Sequence, residues 1–178
     1  LPKPHHEAIQ EAMPAGVDTL SEILSANGYF TIAASDHPGI NSKRFGQGYD
    51  IFLHLWYDDG PWFHWRDTDA DDVVKQLNKL LKIQSSSGLF MYIHLLYPHK
   101  PFLPAPPYDN YFGRGAFLID AEDSGKKNSV INMYDGEIKL TDDVVGSFLT
   151  DMQRLQLYDD SIIIVTSDHG EGFWEHDL

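Results

Sequence analysis

The residues with the clearest chemical content lie near the carboxyl end. Ser167-Asp168-His169-Gly170-Glu171 comes one residue after the apolar run Ile162-Ile163-Ile164-Val165. Asp168 and His169 set a carboxylate oxygen beside an imidazole nitrogen, a donor pair that divalent cations accept. Gly170 permits the backbone to turn sharply there. Four consecutive apolar residues predict a strand buried on both faces. In open α/β sheets, chemistry gathers just beyond the carboxyl ends of such strands. By residue type alone Asp168 and His169 are candidate metal ligands at the end of a central strand, while Asp-His-Gly also fits an ordinary strand-to-loop turn.

A second group lies in Phe90-Met91-Tyr92-Ile93-His94-Leu95-Leu96-Tyr97-Pro98-His99-Lys100-Pro101-Phe102. Prolines flank His99 and Lys100, so the backbone carrying them is stiff. A preorganised imidazole at His99 can hydrogen-bond an ester oxygen as charge builds on it. Lys100 is a candidate anion contact. His94, at the end of an apolar stretch, reads first as a core histidine and second as a candidate substrate contact. Asp36-His37 repeats the Asp-His pair at another strand end, but turn chemistry explains it, and it is left out of the expected site. His5, His6, His54 and His64 carry no spacing signal.

These residues need elements to position them. Thr19 with Glu22 reads as a capping box, Leu20, Ile23 and Leu24 as the apolar face of a helix, and Asn27-Gly28 as its stop. Tyr29 to Ser35 reads as a strand, and Gly48 to Phe52 as a short edge strand. A helix starts at Thr68 or Asp69 with a stripe of Val73, Val74, Leu77, Leu80 and Leu81. Leu89 to Leu95 reads as a buried strand. The prolines at 98, 101, 104, 106 and 107 make the next segment extended. A long helix follows, with an apolar stripe of Ile131, Tyr134, Ile138, Val145, Phe148, Met152 and Leu155. Residues 54–67 read as an aromatic-rich surface loop, and residues 113–126 as mobile. Alternation of strand and helix predicts an α/β fold with a mainly parallel sheet flanked by helices. Strand ends near residues 35, 95 and 167 should then converge on one edge.

At 178 residues with 42% apolar content, the chain has the size of one domain with a real core. Residues 1–16 read as a flexible lead. The sequence has no cysteine, which removes disulfides, thiolate ligands and cysteine nucleophiles. Its net charge of −14 argues against nucleic acid as a partner. That charge also repels sulfate and phosphate esters at long range, so a local cation must overcome it. No apolar run approaches the roughly 18 residues of a membrane span.

The Ser167–Glu171 segment with Glu175-His176 resembles the S-D-H-G-E…E-H signature of the sulfatase family, within the alkaline phosphatase superfamily. Three further stretches match in order: Thr19 to Ser35, Phe90 to Phe102 with its H-x-P turn, and Tyr134 to Asp160. The resemblance implies an alkaline-phosphatase/sulfatase-like core, a divalent cation on Asp168 and His169, and a sulfate- or phosphate-ester substrate met by His99 and His176. It makes Ca²⁺ the first expectation. Mg²⁺ is an alternative, and His169 leans toward Mn²⁺ or Zn²⁺. The family's nucleophile motif, C/S-x-P-x-R, is absent, as are its paired N-terminal aspartates. The expectation is thus an interior portion of a sulfuric ester hydrolase, inactive alone, from a periplasmic, extracellular or lysosome-like compartment. The alternatives are a phosphoryl or phosphonate ester hydrolase, a phosphoethanolamine or phosphoglycerol transferase of the same superfamily, and a non-catalytic module.

Overall fold

The structure, a computed structural model, describes residues 12–14, 16–37, 39–55, 70–83, 88–113 and 127–173. His176, most of the expected lead at 1–16, and the loops expected at 54–67 and 113–126 lie largely outside these residues. The chain divides into two compact units, Leu1–Leu96 and Tyr97–Leu178.

The first unit is built on a parallel sheet. Helix α1 (Leu20–Ala26) opens it with the expected capping box: Glu22 N–H donates to Thr19 Oγ1 at 3.2 Å, and Thr19 N–H donates to Glu22 Oε2 at 2.9 Å. The helix ends in a Schellman motif, in which Tyr29 N–H reaches Leu24 O and Gly28 N–H reaches Ser25 O. Gly28 supplies the φ of 86° that this ending requires. Strand β1 (Phe30–Ser35) follows, then the single-turn helix α2 (Ser42–Phe45), strand β2 (Ile51–His54), helix α3 (Ala70–Leu80) and strand β3 (Leu89–His94). The sheet order is β2-β1-β3 with both pairings parallel.

Register explains the composition of β1. Ala33 lies between Phe52 and Tyr92, and Ser35 lies between His54 and His94. Partners in register share a face, so small residues on the central strand leave room for large rings on its neighbours. Tyr49 extends this aromatic face by stacking on Phe90 and meeting Phe52 edge-on. Ile32, Ala33 and Ala34 are fully buried. Helix α3 buries Val73, Leu77 and Leu80, three members of the expected stripe; Val74 is half-buried.

The second unit is organised by helix α4 (Lys127–Arg154), with a short 3₁₀ turn at Tyr108–Asn110 packed against it. Its buried face is Val130, Met133, Gly136, Glu137, Leu140, Val144, Phe148 and Met152. The stripe expected from the sequence is one residue out of phase over its first half. Ile138 is 42% exposed and Leu155 44% exposed. Apolar residues occur on both registers of this helix, and a charged residue, Glu137, occupies the middle of the true buried face.

Ile162–Val165 is not a buried strand. Ile162 is 94% exposed and Ile164 81%. A central strand buried on both faces needs neighbours in the ladder and layers packed over each face. Among the described residues the sheet has only three strands, and none of its pairs involves residues 162–165. Apolar pattern reports what a segment can bury, not whether the burying partner is there. Within the first unit, the ends of β1 and β3 meet where Ser35 pairs His94.

Gly136 and Gly146 sit in the same helix and should respond oppositely to alanine. A Cβ at Gly136 would lie 2.5 Å from Tyr108 O and 2.9 Å from Pro104 Cγ, whereas one at Gly146 meets nothing within 4 Å. Gly146→Ala should gain about 0.5–1 kcal/mol from helix propensity. Gly136→Ala should lose about 1–2 kcal/mol net, because overpacking against a backbone carbonyl exceeds that gain. Urea denaturation of both variants checks this; a stabilised Gly136→Ala would contradict the close packing.

Candidate functional site

In the first unit, the carboxyl edge of the sheet is polar. His54, Ser35 and His94 stand level across it. Asp36, just past β1, is only 4% exposed, and its Oδ1 accepts Leu96 N–H at 2.7 Å. His94 Nδ1 lies 3.8 Å from the same oxygen, too far for a hydrogen bond, and this buried nitrogen has no hydrogen-bond partner among the described residues. The His37 ring meets the His94 ring edge-on at 5.9 Å. His37 is fixed by its own turn: its N–H donates to Ser35 Oγ, and its Nδ1 accepts Gly39 N–H. Turn chemistry thus accounts for His37 but not for Asp36, which contacts the candidate residue His94.

In the second unit, the turn that carries His99 is held by Glu137. This side chain is fully buried. Its Oε2 accepts His99 N–H at 3.2 Å and its Oε1 accepts Leu103 N–H at 2.6 Å. The sequence reading missed Glu137. One glutamate inside a helical pattern looks like a solvated position, and its partners are backbone groups that leave no trace in composition. The only available signal was its place three and four residues from Tyr134, Leu140 and Thr141.

The His99 ring lies against the same turn, with Nδ1 2.7 Å from Lys100 O. A carbonyl only accepts, so Nδ1 carries the hydrogen in this contact. Lys100, expected as an anion contact, instead pairs with Glu171 at 3.1 Å. Phe173 packs against Phe102 and Tyr134, with ring centroids 5.9 and 5.0 Å away. Phe102, Val130 and Met133 form the buried centre of this cluster. The segment after His169 is thereby anchored beside the His99 turn at two points. Burial pushes the Tyr134 hydroxyl above its ordinary pKa, assisted by the negative charges of Glu171 and Asp135.

Asp168 and His169 are exposed and adjacent. Asp168 Oδ2 and His169 Nε2 are 3.6 Å apart. His169 Nδ1 is 2.7 Å from Gly170 O, so this nitrogen carries the hydrogen and Nε2 holds the lone pair. The Gly170 carbonyl is the main cause of a raised His169 pKa, followed by the charge of Asp168. Two donors on one ion at about 2.0–2.2 Å stand roughly 3–4 Å apart, which this pair satisfies. Among the described residues, no three His, Asp or Glu side chains gather closely enough to hold a metal ion.

The fold is α/β, a parallel three-stranded sheet flanked by helices, of the alkaline-phosphatase and sulfatase kind. The family model for sulfatases matches residues 2–178, and the chain belongs to the sulfatase family. It is 26% identical to the multifunctional alkaline phosphatase superfamily protein PehA of Trinickia caryophylli, over 62% of this chain and 29% of that protein. A phosphonate monoester hydrolase of Agrobacterium radiobacter aligns with a TM-score of 0.69 and 17% identity, over 94% of this chain and 50% of that one. The C-terminal periplasmic domain of EptC from Escherichia coli, solved in complex with Zn, aligns with a TM-score of 0.61 and 17% identity, over 78% and 39%. The chain therefore spans under a third of PehA and half or less of these solved chains.

If Phe173 anchors the motif segment, Phe173→Ala should cost about 1–3 kcal/mol. Amide exchange should speed up at residues 168–172 while the middle of α4 stays protected. Unchanged exchange at residues 168–172 would show that the segment is held by something else.

Proposed function

We propose that this chain is part of a sulfuric ester hydrolase that uses a divalent cation held by Asp168 and His169. The observation that carries the proposal is the Asp168–His169 pair: an oxygen and a nitrogen 3.6 Å apart, with the other ring nitrogen tied to a carbonyl. That second hydrogen bond is the usual support of a metal-ligating histidine, because it fixes tautomer and ring orientation. When bound, the cation would polarise ester oxygens and offset the −14 charge that repels an anionic substrate. Ca²⁺ is the first expectation from the family. An imidazole donor also suits Mn²⁺ and Zn²⁺.

His99 is the group proposed to touch the transferring sulfuryl or phosphoryl oxygens. Its ring is set by Lys100 O, and its turn by Glu137. His94, with Asp36 against it, is a further candidate substrate contact, and so is His176. Lys100 would contribute to anion binding only by leaving Glu171. The nucleophile is proposed to lie outside these 178 residues, since no C/S-x-P-x-R is among them.

A second reading is a phosphonate or phosphate ester hydrolase, or a phosphoethanolamine or phosphoglycerol transferase. It is supported by His169 as an imidazole ligand and by the fold likeness to the phosphonate monoester hydrolase. Aryl sulfate, aryl phosphate and aryl phosphonate esters, assayed on the protein carrying these residues with Ca²⁺, Mn²⁺ and Zn²⁺, separate the readings. A sulfatase turns over the sulfate ester fastest. Chelation and Asp168→Ala should both reduce the rate to background, and His99→Ala should lower kcat by about 10²–10³-fold. Residues 1–178 alone should show no turnover. Activity indifferent to chelation and to Asp168→Ala would overturn the proposal.

A further inference from the structure

We infer that Glu137 is the positioning residue for His99, acting through the turn that it holds rather than by touching substrate. The inference rests on the proposed role of His99 and adds how its reactive nitrogen is chosen. A carboxylate with no solvent exposure is costly unless its oxygens are hydrogen-bonded. Glu137 meets that requirement with two backbone N–H groups, those of His99 and Leu103, one on each oxygen. The four-residue step between these donors closes the turn around the Glu137 carboxylate. Hydrogen bonds to a charged acceptor are each stronger than those between neutral groups.

The consequence for His99 follows from the next contact. A turn closed at residues 99 and 103 fixes where Lys100 O points. That carbonyl accepts from His99 Nδ1 at 2.7 Å. Nδ1 is therefore the protonated ring nitrogen, and Nε2 is the one that meets an ester oxygen. Glu137 also sits within α4, one residue after Gly136, where the helix packs closely on Pro104 and Tyr108. The His99 turn thus takes its position from a helix backbone rather than from a loop. Such support on regular structure is what an imidazole needs to act with little reorganisation.

Imidazole ¹⁵N spectra and amide exchange on the 178-residue chain test this without any need for turnover. In the unaltered chain, His99 should be the Nδ1–H tautomer when neutral, and the His99 and Leu103 amides should exchange slowly. In Glu137→Gln, the side-chain amide NH₂ must face one of the two N–H groups, so one bond is lost. Exchange at His99 and Leu103 should rise about tenfold to a hundredfold, and His99 should become a mixture of tautomers. Glu137→Asp, charged but shorter, should fall between the two. Loss of general stability alone would speed exchange throughout α4 and leave the tautomer unchanged. A single unchanged Nδ1–H tautomer in folded Glu137→Gln would overturn the inference. Should that variant fail to fold, an Nε2–H tautomer or fast-exchanging His99 and Leu103 amides in the unaltered chain would overturn it equally. An inactive His99→Ala protein leaves this inference standing or falling on the spectra, whereas a fully active one removes the proposed role of His99 and not the clamp.

Discussion

The second unit depends on one buried carboxylate. Glu137 sits on the inward face of α4 between Met133 and Leu140, where an apolar residue would be expected. Both of its oxygens accept backbone N–H groups, which offsets the cost of burying it. The reverse also holds. The turn from His99 to Leu103 lies between prolines and outside regular structure, and its amides would otherwise lack helix or sheet partners. Each side satisfies what the other leaves open. The aromatic packing of Phe102, Tyr134 and Phe173 and the Lys100–Glu171 pair then seat the Asp168–His169 segment near the same turn. The exposed ion pair contributes at most about 1 kcal/mol, so the ring packing is the stronger of the two anchors.

The first unit solves a different problem. A parallel sheet places its carboxyl ends together, and here β1 places a serine between two histidines at that edge. Small residues on β1 let Phe52, Tyr92, His54 and His94 stand on one face. Asp36 continues the edge by accepting the Leu96 N–H, which ties the exits of β1 and β3 together. His94 therefore belongs to a polar edge rather than to an apolar core.

Local features were legible in the sequence where their causes are local. The Thr19–Glu22 capping box, the Asn27-Gly28 stop and the α3 stripe each arise from residues within one or two helical turns. Non-local features were not legible. Asp36 reads as a turn residue until the β1–β3 register brings it to His94. Glu137 reads as solvated until the His99 turn folds over it, and its charge shifted the apparent phase of the α4 stripe. Ile162–Val165 reads as a buried strand, yet it lacks a ladder partner among the described residues. The Asp168–His169 pair stood out by residue type, and its reading as a metal site came from the resemblance to the sulfatase signature. What the sequence could not supply was the Gly170 carbonyl that orients the imidazole, since that contact is a property of backbone conformation.

The central claim is that Asp168 and His169 hold the cation of a sulfatase-family site. Anomalous diffraction at the manganese edge, from crystals of the protein carrying these residues soaked in Mn²⁺, tests it most directly. The account predicts a peak about 2.0–2.3 Å from Asp168 Oδ2 and from His169 Nε2. A peak at Asp36 and His94 instead, or none at Asp168, would contradict it.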